Sequence, residues 1–175
     1  TASRVDVGST LTGRVLDVAV AEGAQVKQGE VLLHLESDEL QAALMQAQAS
    51  ERQAAARLAG LRSTGRSSAQ AALAQTDSVL IAARAELQRT REWVDQGFLS
   101  AARLDEVQRA VAVAQAQQAG AQAQRAATAD RGTETLQAQA QLSLATAATA
   151  AARARLDLAV LTAPAADKVL ARLVE

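Results

Sequence analysis

Cysteine is absent from this 175-residue chain, which excludes a disulfide framework and thiol chemistry. Aromatic side chains are scarce: one Trp, one Phe and no Tyr. A compact globule of this length needs larger side chains to offset the conformational entropy of folding. Much of the 49% hydrophobic fraction is instead alanine, the best helix former and a source of roughly one buried methyl per residue. The composition predicts long helices packed closely through small residues, without a thick core. Charge of one sign is lacking too. The 18 basic and 19 acidic residues leave a net charge of −1, against a general electrostatic attraction to nucleic acid or anionic lipid. No run approaches the ~20 apolar residues of a membrane span. The single histidine, His34, has no second ligand in sequence reach and reads as structural. Without a P-loop, a G-x-G-x-x-G or a metal-spaced cluster, no enzymatic activity, metal or cofactor is expected.

Three textures are present. Residues 5–35 alternate in "RVLDVAV", turn at "AEGAQVKQGE" and run apolar again in "VLLHL", the pattern of short β-strands bounded by glycine turns. Residues 38–158 are helical in pattern. From Leu161, "LTAPAADKVLARLVE" breaks at the one proline and resumes a strand-like run. The expected fold is mostly α with a small β unit, the β unit being interrupted by a long helical insertion.

The insertion carries heptad stripes. Leu40, Leu44, Ala47, Glu51, Ala54, Leu58 and Leu61 step by four and three; so do Leu73, Thr76, Leu80, Ala83, Leu87, Thr90 and Val94. Leu104, Val107, Val111, Ala114, Gln118 and Ala121 form a third series. Such spacing gives each helix one narrow seam of a coiled coil. A helix of this length needs a partner for its seam, and folding back supplies one. Gly97 and Ser100 mark the bend: Ser100 is a good N-cap before "AARLDEV". The arms, 38–96 and 100–158, are nearly equal and each about 85–90 Å long at ~1.5 Å per residue if continuous. Two stretches with glycine and Ser/Thr clusters, 59–68 and 127–135, lie at similar distances from the bend and are expected to interrupt the arms, with Ser68 and Thr133 as caps of the helices that follow. The arginines at 52, 57, 62 and 66 are read as solvating a helix face, and Met45 as core filler.

"GRVLDVAVAEGAQVKQGEVLLHLESDEL" resembles one half of a lipoyl/biotinyl domain, in its order of strand, E-G-x-x-V-x-x-G turn and strand. Where that family carries its modified lysine, this chain has Glu39 in "ESDEL", which lacks the amine for an amide link. A lipoyl-like half, split there by a helical hairpin and resumed by "LTAP", is similar to the periplasmic membrane fusion proteins, the haemolysin-D-type (HlyD-like) adaptors of bacterial efflux and secretion. The resemblance implies residues 1–37 as a first lipoyl-like half, 38–158 as the α-hairpin with its turn near 97–100, and 159–175 as the start of a second half. That half departs from the family pattern at Ala166-Asp167-Lys168, where Asp-Gly is usual, and is expected to be truncated after Glu175.

The resemblance extends to the tip. Adaptors that meet a TolC-like outer-membrane channel show Arg, a Leu four residues on, a Ser seven further and an Asp five beyond. Arg89, Ser100 and Asp105 fit, Trp93 stands at the leucine position, and Gly97 and Leu99 match the usual turn. Phe98 joins them at the bend. The resemblance implies an inner-membrane transporter as second partner, ABC-type favoured by the paired interruptions, and self-association of adaptors in the assembled pump. It places the protein in the periplasm, with an inner-membrane anchor in the full-length protein. The expected seams are thin enough that the isolated chain should be monomeric or weakly associated. A structural coiled coil without channel docking, and a lipoyl or biotinyl carrier, are the alternatives. On the first, Trp93 fills a seam, Phe98 plugs the turn and Ser100 only caps a helix.

Overall fold

In the computed structural model the described residues are 5–173; residues 1–4 and 174–175, which fall in the two expected lipoyl-like halves, lie outside them. The chain forms two compact units, one from Thr1–Arg52 with Ser143–Glu175 and the other Gln53–Leu142.

The first unit holds the strands. β1 (Val15–Val18), β2 (Gln25–Val26) and β3 (Val31–Leu35) precede the helices, and β4 (Val160–Thr162) and β5 (Asp167–Lys168) follow them. β1, β3 and β4 form one antiparallel sheet in that order, and β2 pairs with β5 in another. The returning chain therefore completes both sheets: Leu33 faces Leu161 and His34 faces Val160, while Gln25 faces Lys168. Backbone bonds extend the join, from Gly29 N to Ala163 O (2.8 Å) and from Ala163 N to Glu30 O (2.9 Å). Leu33, Leu35 and Ala159 are buried beneath this sheet, with Leu11, Val15, Val18, Leu40 and Leu161 packed around them. The core is small because the strands are short; each buried leucine contributes roughly 1.5–3 kcal/mol.

β3 passes into α1 (Asp38–Gly60) within two residues. Ser37 O accepts the Gln41 N–H at 2.8 Å, and Asp38 and Glu39 lie in the first turn of α1, where their charge favours the helix dipole. Glu39 is thus a helical residue and not the tip of a β-hairpin.

The second unit is built on α2 (Arg66–Asp95) and α3 (Ala101–Ala127), antiparallel across a four-residue bend preceded by Gln96. The heptad positions face inward. Leu80, Thr90, Val107, Val111 and Ala114 are buried, and Leu73, Thr76, Ala83, Leu87, Val94, Leu104, Gln118 and Ala121 are half-buried. Leu80 packs on Val111 and Ala114, with Ala83 and Leu87 against them; a leucine on one arm against an alanine on the other allows close approach. Asp77 on this seam accepts a hydrogen bond from Gln118 Nε2 of the facing helix, so these two polar side chains are paired with each other.

α4 (Thr133–Asp157) has a seam the sequence did not advertise: Thr135 and Ala138 are buried, and Leu142, Ala145, Thr149, Ala152 and Leu156 follow at steps of four and three. Its larger Leu136 and Leu144 are exposed. On α1, Glu51 meets α4 through a 2.8 Å bond from Thr146 Oγ1.

The two expected interruptions differ in kind. In the first arm α-helical geometry gives way at Leu61–Gly65 to a π-helical turn, and the chain stays helical throughout. Ser68 is therefore not a cap; it is inside α2, its Oγ donating to Gly65 O at 3.0 Å. Its hydroxyl meets a carbonyl of the preceding turn, which no N-cap does. In the second arm α3 ends at Ala127, residues 128–132 form a loop, and α4 opens at Thr133. Arg66 is not merely solvated: it forms an ion pair with Asp130 across the arms. Met45 is not core filler either, being 62% exposed on the outer face of α1.

Candidate functional site

The bend is shaped by a helix-ending motif that accounts for both aromatics. α2 stops at Asp95, and Gly97 takes φ +81°. Gly97 N–H donates to Val94 O at 2.9 Å and Phe98 N–H to Trp93 O at 2.8 Å. This pair of bonds is the Schellman arrangement, which satisfies the last carbonyls of a helix and requires a residue comfortable at positive φ. It places the side chains of Trp93 and Phe98 together, ring centroids 5.4 Å apart at 70°. Edge-to-face contact of this kind adds about 0.5–1.5 kcal/mol. The chain-local reason for two aromatics within six residues is that they occupy the two positions such a motif brings into contact.

Ser100 then starts α3. Its φ of −82° and ψ of 157° are extended, and its side chain accepts the Arg103 N–H, at 3.4 Å. Behind the bend an ion-pair ladder joins the arms. Glu86 accepts from Arg89 at 2.7 Å and stands 3.8 Å from Arg103 of the facing helix, which also pairs with Glu106 at 2.8 Å. The Glu106 carboxylate, by hydrogen bond and charge, and then Glu86 hold the Arg103 guanidinium above its usual range. These groups are exposed, so solvent screens each pair and little stability comes from them; their effect is to orient Arg89 and Arg103.

Capping leaves much of the apolar surface open: Trp93 is 50% exposed, Phe98 67% and Leu99 41%. Trp93 lies one residue off the seam, next to half-buried Val94. Arg89, Ser100 and Asp105 are exposed as well, so all seven residues of the expected tip site are on the surface around one bend. Glu86, Arg103 and Glu106 were not anticipated. The pairs within one helix were legible as spacings of three, whereas the bond across the bend depends on how the arms are registered. No group of three or more metal-ligating side chains occurs among the described residues, and no helix among them is long and apolar enough to cross a membrane.

No protein-family model and no curated protein matches the sequence. Among solved structures, the chain is similar to a candidate efflux transporter from Bacteroides eggerthii, at 15% identity and a TM-score of 0.51, over 98% of this chain and 34% of that one. It is also similar to MacA from Actinobacillus actinomycetemcomitans (21% identity, TM-score 0.42, 99% and 44%). A third is the periplasmic adaptor protein EmrA (14% identity, TM-score 0.41, 97% and 66%). The chain spans from about a third to just under two thirds of these proteins' length. At such identities the likeness is one of fold, and the first comparison carries it. The fold implied by the resemblance to membrane fusion proteins, a helical hairpin inserted in a split lipoyl-like β unit, is the fold observed.

Proposed function

We propose that this chain is part of a periplasmic adaptor of a tripartite efflux or type I-like secretion system, whose hairpin bend docks on a TolC-like outer-membrane channel. Arg89, Trp93, Gly97, Phe98, Leu99, Ser100 and Asp105 form the docking surface. An inner-membrane transporter, of the ABC type, is the second partner, and copies of the adaptor associate side by side in the assembled pump. The chain acts by bridging, not by catalysis, and the full-length protein is held at the inner membrane.

One observation carries this reading. The only large aromatics of the chain are together on an exposed bend, with more apolar surface open than closing a helix requires. Exposed aromatics framed by polar groups are typical anchors of protein interfaces. Ser100 and Asp105 frame them on one arm and Arg89 on the other. Docking through an apolar anchor suits a protein whose net charge offers little steering.

The test is made in cells carrying the full-length protein. A photo-crosslinker at position 93 or 98 is expected to capture the outer-membrane channel. Trp93→Asp with Ser100→Arg is expected to abolish transport at unchanged protein level. Intact transport in that double variant, with the protein present, removes docking through the bend.

A further inference from the structure

From Leu58 to Leu73 the inward-facing residues are Leu58, Leu61, Gly65, Ala69 and Leu73, three consecutive steps being of four. That interval is fifteen residues, one more than two heptads. In an uninterrupted α-helix the extra residue would turn every later seam position of α2 by about 100° away from its partner. The facing helix has no such excess up to its end: Ala114, Ala121 and Thr128 follow one another by sevens, all buried or half-buried. The π-helical turn at Leu61–Gly65 absorbs the difference, with Arg66 N–H reaching back to Leu61 O in place of the α-helical acceptor.

This correction loosens the helix locally. Gly60 precedes the turn and Gly65 ends it, and a Cβ at Gly60 would meet nothing within 4 Å. Side-chain hydroxyls take carbonyls of the widened turn: Ser63 Oγ donates to Ala59 O (2.9 Å), Ser67 Oγ to Ser63 O (3.1 Å) and Ser68 Oγ to Gly65 O (3.0 Å). Such bonds compete with the helix ladder and favour bending. The facing arm is non-helical over Thr128–Gly132, where Thr128 Oγ1 bonds Gln124 O at 3.1 Å. A Cβ at Gly132 would run into the carbonyls of Ala126 and Ala127, so that loop closes only on glycine. Across this level Arg66 and Asp130 form an ion pair. Among the described residues it is the only level of the hairpin, apart from its bend, at which neither arm is an α-helix.

We propose that Leu61–Gly65 and Thr128–Gly132 together form a hinge, about which the α2–α3 pair swings, with Arg66–Asp130 as its latch. The π turn serves two ends: it keeps the α2 seam in phase and it concentrates bending at one level. The inference does not depend on what the bend contacts.

Amide hydrogen exchange of the whole chain tests it. Amides at 62–68 and 129–133 are expected to exchange at least about tenfold faster than those at 80–88. Deleting Thr64 removes the extra residue, restores two heptads between Leu58 and Leu73, and should slow the first segment to the rate of α2 with helix content unchanged. Deleting Ala82, where no π turn can compensate, should instead unravel the α2–α3 seam. Gly65→Ala should slow exchange at 62–68 by about two- to tenfold in the intact register, and Asp130→Ala should speed exchange in both segments. Uniformly slow exchange across 58–90 in the unaltered chain overturns the hinge. A Thr64 deletion as disruptive as the Ala82 deletion overturns the role given to the π turn.

Discussion

Replacing Gly97 by alanine isolates what one backbone angle contributes to the bend. Gly97 has φ +81°, and no atom lies within 4 Å of where a Cβ would be. Steric contact with neighbours therefore adds nothing, and the cost is that of holding an L-residue in the left-handed region, about 1–2 kcal/mol. Alanine also restricts the unfolded chain, which returns about 0.4–1 kcal/mol. The net loss should be roughly 1 kcal/mol, a fall in Tm of about 2–4 °C for a chain of this length. Asparagine tolerates positive φ far better, so Gly97→Asn should fall between the two. Urea unfolding followed by circular dichroism gives the stability. Trp93, the only tryptophan, reports the bend by its emission, which should shift if Phe98 is displaced from its ring. An alanine variant as stable as the parent, or an asparagine variant no better than alanine, would refute this account of the turn.

Ser100→Asp should keep stability within about 0.5 kcal/mol, because Asp caps as well as Ser, whereas Ser100→Ala should cost about 0.5–2 kcal/mol; loss of transport in the Asp variant alone separates channel contact from capping. Leu80→Ala, at the most buried leucine of the α2–α3 seam (2% exposed), should cost about 2–5 kcal/mol in chemical denaturation, whereas Ile81→Ala next to it, 68% exposed, should change little. Hydroxyl bonds from Thr146 and then Thr149 hold the Glu51 carboxyl below its ordinary value of 4.5. That contribution is complete above the ordinary glutamate range and is lost as pH falls through the lowered folded value. Glu51→Gln should therefore flatten the acid limb of a stability–pH curve, and an unchanged limb would show that the threonine bonds do not persist in solution.

Much of the hairpin is legible in the sequence because its rules are local. A step of three or four residues fixes which side of a helix is covered, so Leu73 to Val94 and Leu104 to Ala121 read directly as facing seams. Gly97 and Ser100 punctuate the bend for reasons internal to a few residues: one accepts positive φ, the other lends an oxygen to a free N–H. The α4 seam was hidden, since Thr135, Ala138 and Thr149 differ little in hydropathy from the alanines around them while Leu136 and Leu144 point outward. Glycine and serine at 59–68 suggest a break, yet the chain there remains helical, because a π turn lets Ala69 and Leu73 keep facing α3 and a true break would have forfeited that burial. The pairing of β3 with β4 and of β2 with β5, and the reach of Arg103 to Glu86, were decided only in the folded molecule. Periodicity tells a residue which way to face, but contacts between distant segments depend on where the whole chain has placed its partner.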